Sequence, residues 1–211
     1  MAQITTGIRS FLSHPFFYNL VQNSLGVRKA RKTLVNEYFP AEKGISVLDI
    51  GCGTAEILEF LPDDIDYTGF DASPAYIEQA IKRYGNRGHF FAGLVEATQL
   101  ENMEPFDVIL AFGVLHHLDD SHAEQLFSMA AKAIKPDGVV LTVDPCFTPN
   151  QPSFARWLIK NDRGQNVRDE AGYQNLATKH FARIKSKPHH DLLHVPYTYL
   201  IMSCGQATDI A

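Results

Sequence analysis

Cysteine is scarce in this sequence: Cys52, Cys146 and Cys204 are the three in 211 residues, widely spaced and without a Cys-x-x-Cys pair. An odd, scattered set excludes a disulfide framework and offers no zinc-ligand spacing, so no metal site is expected and a reducing, cytoplasmic setting is. Long hydrophobic runs are missing too. The longest, Val108–Phe112 and Val139–Val143, are strand-sized, far below the roughly 20 residues that span a bilayer, so no membrane partner is expected. Residues 1–13 hold no sustained apolar stretch with a small-residue cleavage site, which argues against a secretory leader. Strong charge of either sign is also absent. A net charge of -5 gives no long-range pull on phosphate backbones and disfavours nucleic acid as a partner. No repeat, low-complexity tract or linker divides the chain, whose length suits one domain, as monomer or homodimer.

What is present is an alternation of apolar strand-like runs with helix-like segments, the pattern of a mostly parallel sheet covered by helices. Ile45–Ile50 reads as a first buried strand, followed by a Gly-rich turn and a short helix ending near Leu61-Pro62. Asp66–Phe70 is a second strand, and Ser73-Pro74 supplies a cap and first residue for a helix to about Tyr84. His89–Ala92 and Phe106–Phe112 are the next strands. Ser121 and Glu124 have capping-box spacing ahead of the apolar face Leu126, Met129, Ala130 and Ala133. Lys135-Pro136-Asp137-Gly138 turns the chain into a fifth strand, Val139–Asp144. Residues 1–40 are expected to form a helical cap, one or two helices over Pro15–Phe39 interrupted near Gly26. Residues 145–178 form a long excursion with a helix around Glu170–Lys179, and residues 179–211 carry closing strands at Phe181–Lys187 and Tyr197–Cys204. The expected fold is a doubly wound, Rossmann-like α/β sheet of about seven strands, helices on both faces, with an antiparallel member in the last pair.

The most informative stretch is Asp49-Ile50-Gly51-Cys52-Gly53-Thr54-Ala55-Glu56. Glycines at 51 and 53 permit backbone dihedrals closed to other residues and let a ligand approach the main chain. Asp71, ending the second strand, can accept the hydroxyl protons of a ribose. Two nucleotide-like cofactors suit this geometry. A dinucleotide fingerprint would need a small residue where Glu56 stands, and Asp49 adds a second carboxylate that would repel a pyrophosphate. S-adenosylmethionine has no phosphate, and carboxylates favour its ammonium and sulfonium.

On these residues the chain resembles the class I S-adenosylmethionine-dependent methyltransferases over roughly Ile45–Asp144. The resemblance implies S-adenosylmethionine as cofactor, with Asp49, Gly51, Cys52 and Gly53 around its methionine end, Asp71 on the ribose and Ala72 beside the adenine. It places Phe112 and Gly113 under the donor, facing the acceptor. The acid that contacts the adenine amino group in this family has no match in register, so that role falls to Glu96 or to the backbone at Leu94 and Val95. Ala55 replaces a usual third glycine, and little loss is expected from it.

The resemblance implies methyl transfer to a small-molecule acceptor by in-line displacement, with an S-adenosylmethionine-binding module without catalysis or an NAD-dependent oxidoreductase as alternatives. Where the acceptor must lose a proton, His116 is the first candidate base and Asp144 the second, since an ordinary imidazole titrates at about 6.5. His117 reads as structural, and Cys52 as a compact residue under the turn. His189, His190 and His194 lack matching carboxylate or cysteine spacing for a metal. Arg28, Lys29, Arg31 and Lys32 read as a solvated helix face. The acceptor pocket is expected between Pro15–Phe39 and a lid over Pro145–Thr178, where Arg163 and Arg168 could contact a polar group on the acceptor.

Overall fold

The computed structural model describes residues 26–40, 42–161 and 164–208. Its strands are β1 Ser46–Ile50, β2 Asp66–Asp71, β3 His89–Ala92, β4 Phe106–Phe112, β5 Ile134–Phe147, β6 Arg168–Asp169, β7 Phe181–His189 and β8 Tyr199–Ala207. Its helices are α1 Val27–Tyr38, α2 Pro74–Tyr84, α3 Ala97–Leu100, α4 Asp120–Ala133, α5 Ser153–Lys160 and α6 Glu170–Ala177, with 3₁₀ turns at Glu56–Glu59 and Leu115–His117.

The strand order is β3-β2-β1-β4-β5-β8-β7, and the two-residue β6 pairs with the far end of β5. β1 through β5 pair in parallel. β8 runs antiparallel to both β5 and β7. This is the doubly wound α/β sheet with an antiparallel closing strand expected from the sequence.

The uninterrupted apolar character of β4 follows from burial on both faces. Ile109 and Ala111 join Leu126, Phe127, Ala130, Tyr173 and Leu176 from α4 and α6. Val108 and Leu110 join Ala30, Leu34, Leu58 and Ala80 from α1, the first 3₁₀ turn and α2. Among the described residues no helix is long and apolar enough to cross a membrane.

Several local expectations shift. The cap of α4 is Asp119, whose side chain accepts the main-chain N–H of His122, so the helix starts ahead of the Ser121 and Glu124 box. β5 begins at Ile134 instead of after a turn, with a register irregularity opposite Phe106 and Val108. The excursion after β5 contains α5, not expected from the sequence, which buries Ala155 and Ile159 and leaves Phe154 and Trp157 exposed with stacked rings. Of the N-terminal cap, only α1 and its approach fall within the described residues. Gly26 precedes α1 with φ +91°.

Candidate functional site

Three loops are held along the carboxyl edge of the parallel strands by bonds that continue the ladder. After β1, the N–H groups of Gly51 and Cys52 both donate to the Phe70 carbonyl, at 2.8 and 3.0 Å. After β3, Gly93 donates to the Asp71 carbonyl at 2.8 Å, and after β4, Gly113 donates to the Val143 carbonyl at 2.7 Å. The crevice that results lies where open α/β sheets bind ligands.

The first turn is built tightly. Gly51 has φ +76° and faces Val114, so close that a Cβ would stand 2.6 Å from Val114 Cγ2. Gly53 has φ +57° with open space where its Cβ would be. Its N–H donates to Asp71 Oδ2 at 2.9 Å, while Asp71 Oδ1 accepts the Ser73 N–H at 2.8 Å. Asp71 therefore joins two loops, and each oxygen keeps a lone pair for a ribose hydroxyl. Burial raises its carboxyl above the usual range against the pull of those two N–H donors. Ala55 has φ +56°, the left-handed region, so the replaced glycine is a strained position and not the neutral exchange expected. Cys52 lies against β2, where a Cβ on Gly69 would meet its sulfur at 2.9 Å. Burial pushes its thiol up.

Asp49 is buried beneath this turn. Its Oδ2 accepts the Tyr67 hydroxyl at 2.6 Å, and its Oδ1 has no hydrogen-bond partner among the described residues. Burial raises its pKa to about 6, with the Asp71 charge adding and the Tyr67 bond opposing. A buried acceptor left open in this way suits a cationic ligand group. Glu56 behaves differently. Its carboxylate pairs with Arg31 of α1 at 2.5 Å and lies 3.9 Å from Arg83. Its charge is compensated within the protein, so the repulsion of a pyrophosphate rests on Asp49 without Glu56. Arg31 is accordingly no part of a solvated face; its guanidinium also lies 5.9 Å from the Phe112 ring centroid.

Beyond β2 and β3, Ala72 is exposed and Leu94 is 62% exposed, with Val95 half-buried. Glu96 caps α3, its side chain taking an N–H of the first turn while Gln99 Oε1 accepts the Glu96 N–H.

The loop after β4 brings His116 and Asp144 together. Asp144 Oδ1 lies 2.8 Å from His116 Nδ1 and accepts the His116 main-chain N–H at 3.1 Å. Both residues are buried, and burial raises the Asp144 carboxyl against the favourable influence of His116. A Cβ on Gly113 would lie 3.7 Å from His116 Cε1, which sets the imidazole beside the loop that closes the crevice. His117 is half-buried, its ring centroid 4.0 Å from that of His116. On the other side of β4, Phe112, Tyr199 and Tyr197 form a file of rings with centroids 6.3 and 5.2 Å apart.

The remaining expected residues disperse. His189 Nε2 meets the Tyr38 hydroxyl at 2.9 Å, His190 Nδ1 meets Thr198 Oγ1 at 3.1 Å, and His194 lies against Gly26. Arg163 is outside the described residues. Arg168 is directed into the protein, with all five N–H donors bonded to Asp120 Oδ1 and to the carbonyls of Leu115, Leu118 and Asn166.

Comparison with known proteins bears on this edge. Residues 48–140 match the family model described as a methyltransferase domain. Phosphoethanolamine N-methyltransferase 3 of Arabidopsis thaliana is 32% identical over 139 residues, 63% of this chain and 28% of that protein. A ubiquinone biosynthesis O-methyltransferase of Bradyrhizobium is 34% identical over 120 residues, 55% of this chain and 45% of that protein. The parallel core of this chain is thus similar to the methyltransferase-domain family. It spans less than half the length of these two relatives. The fold is shared with a phosphoethanolamine N-methyltransferase of Haemonchus contortus, solved with phosphomonomethylethanolamine and S-adenosylhomocysteine, at TM-score 0.71 and 17% identity, covering 96% of this chain and 61% of that one. S-adenosylmethionine is the cofactor of this family. The open Asp49 Oδ1 and the Gly51–Gly53 main chain fit its charged methionine end.

Two residues carrying this site were not singled out from the sequence. Tyr67 reads as one more apolar residue of β2, and Val114 as part of a loop; no sequence signal marks either as the partner of Asp49 or Gly51.

Proposed function

We propose that the protein transfers a methyl group from S-adenosylmethionine to an O–H or N–H group of a small acceptor, with His116 taking the acceptor's proton. When bound, the donor supplies a methyl group on a positively charged sulfur, which departs as a neutral thioether. Asp49, Asp71 and the Gly51–Gly53 main chain hold the donor. Asp144 holds the imidazole: an oxygen that accepts the His116 main-chain N–H also accepts Nδ1–H, which leaves the lone pair on Nε2. The observation that carries the reading is the 2.8 Å contact between His116 and Asp144 at the mouth of the loop after β4. Positioning of acceptor and donor supplies most of the remaining rate, since no covalent intermediate is needed.

A hydroxylated ring is the acceptor class this edge favours. Phe112, Tyr197 and Tyr199 give this edge an aromatic character, whereas Arg168, the cation expected to meet a polar acceptor group, has its donors committed elsewhere.

The test is transfer of labelled methyl from S-adenosylmethionine into a metabolite extract, with a catechol and phosphoethanolamine assayed separately. Wild type should label a product, and His116→Asn should lose turnover by roughly a hundredfold or more while retaining donor affinity. Donor binding with no transfer would establish a binding module. Labelling of phosphoethanolamine and not the catechol would overturn the acceptor class, and unchanged turnover in His116→Asn would remove the base.

A further inference from the structure

His116 sits on a 3₁₀ turn whose carbonyls on either side, Leu115 and Leu118, both accept from the Arg168 guanidinium, at 3.1 and 2.9 Å. The segment leading to Arg168 lies directly on the histidine. Asn166 N–H donates to the His116 carbonyl at 3.0 Å, and a Cβ on Gly164 would be 2.0 Å from His116 Cδ2. Arg168 is also tied to the strand that carries Asp144. β6 pairs with Cys146 and Phe147, and the guanidinium lies 5.6 Å from the centroid of Tyr173, whose hydroxyl donates to the Pro145 carbonyl at 3.0 Å. One side chain thus bridges the turn bearing His116 and the strand end bearing Asp144.

We propose that Arg168 is a positioning residue for the proton-accepting histidine, fixing the turn against β5 so that His116 keeps Nδ1–H on Asp144 and presents Nε2 to the acceptor. This rests on the reading of His116 as the base. The geometry requires a guanidinium. Its planar fork reaches both flanking carbonyls, the Asn166 carbonyl and Asp120 at once, whereas an ammonium is a point donor that cannot span the two sides of the turn. The Arg168 side chain is 11% exposed and that of its acidic partner Asp120 81%, so the carbonyl bonds, more shielded from water than the ion pair, hold the position.

The experiment uses the 211-residue chain labelled with ring-¹⁵N histidine and saturated with S-adenosylhomocysteine, the His116 signals being assigned by their loss in His116→Asn. Wild type should show Nδ1 protonated and Nε2 unprotonated. Arg168→Ala should show mixed tautomers, and added ethylguanidinium should restore the single one. With the labelled acceptor, turnover in Arg168→Ala should fall roughly tenfold to a hundredfold, as when the outer partner of a functional histidine is removed, with donor affinity and acceptor KM unchanged. Arg168→Lys keeps the side chain's bulk and should fall between the two; it serves if Arg168→Ala does not fold. A wild-type tautomer pattern in either folded variant overturns the proposal, as does a raised acceptor KM with unchanged kcat, which would make Arg168 an acceptor contact. Unchanged turnover in His116→Asn would fail the base reading separately, because the tautomer measurement does not depend on turnover.

Discussion

Val114 Cγ2 stands 2.6 Å from the place a Cβ on Gly51 would occupy, so the turn after β1 and the loop after β4 interlock across the crevice. Gly53, two residues on, faces open space. The two glycines should therefore respond differently to alanine. Gly51→Ala combines a left-handed backbone penalty with overpacking and should cost about 2 to 4 kcal/mol of stability. Gly53→Ala should cost about 1 to 2 kcal/mol, yet place its methyl where the donor approaches the main chain and weaken binding strongly. Thermal unfolding and calorimetry with S-adenosylhomocysteine check both; native affinity in Gly53→Ala would move the donor away from this turn.

Asp49 should make donor affinity depend on pH. Burial lifts its carboxyl from 3.8 to about 6 in the free protein. The protonated form is thus favoured on folding, a contribution complete below pH 3.8 and lost as pH rises through about 6. A bound ammonium favours the ionised form, so affinity should rise from pH 5 to pH 7 with proton release on binding, read by calorimetry in buffers of different ionisation heat. Asp49→Asn should abolish the pH dependence, weaken donor binding by about 1.5 to 3 kcal/mol and raise the melting temperature of the free protein above pH 6.

Ala55→Gly should stabilise the protein by about 0.5 to 1 kcal/mol. Relief of the strain at φ +56° outweighs the added freedom of the unfolded chain. Urea unfolding decides it, and a loss of stability would show that packing of the fully buried Ala55 methyl dominates.

Arg31→Met should destabilise by about 3 kcal/mol, because it leaves Glu56 buried without its 2.5 Å partner. Arg31→Met with Glu56→Gln should recover most of that loss. A double variant no more stable than the single one would show that Arg31 acts by packing on Phe112 and not by compensating Glu56.

The sheet was legible because strands buried on both faces read as short apolar runs, and the Gly51–Gly53 turn because only particular residues tolerate its backbone. His116 and Asp144 were each legible by their place at a strand end. Their contact was not, since the residues are 28 apart in sequence and meet only when β4 and β5 pair. Arg31 was misread because an arginine on an amphipathic helix looks the same whether its head reaches water or a buried carboxylate. The short α5 was missed because its two turns of apolar periodicity, Ser153–Lys160, are a brief signal inside a stretch punctuated by Pro and Gly. Arg168 looked like a ligand-binding cation because charge and position favoured that; the carbonyls that take its donors carry no side-chain signal.

The place of β8 between β5 and β7 has a consequence for how the molecule is made. β8 follows both neighbours in the chain, yet Val139 on β5 pairs with Gly205 and Phe181 on β7 pairs with Ala207. While the chain is still emerging from the ribosome, the inner edge of β5 waits through more than fifty residues of synthesis with its backbone groups unpaired. Such an edge is a template for pairing with another chain. Nascent chains stalled before Tyr199 are therefore the species that should aggregate, and a chaperone that shields the β5 edge would act on the protein before its sheet can close.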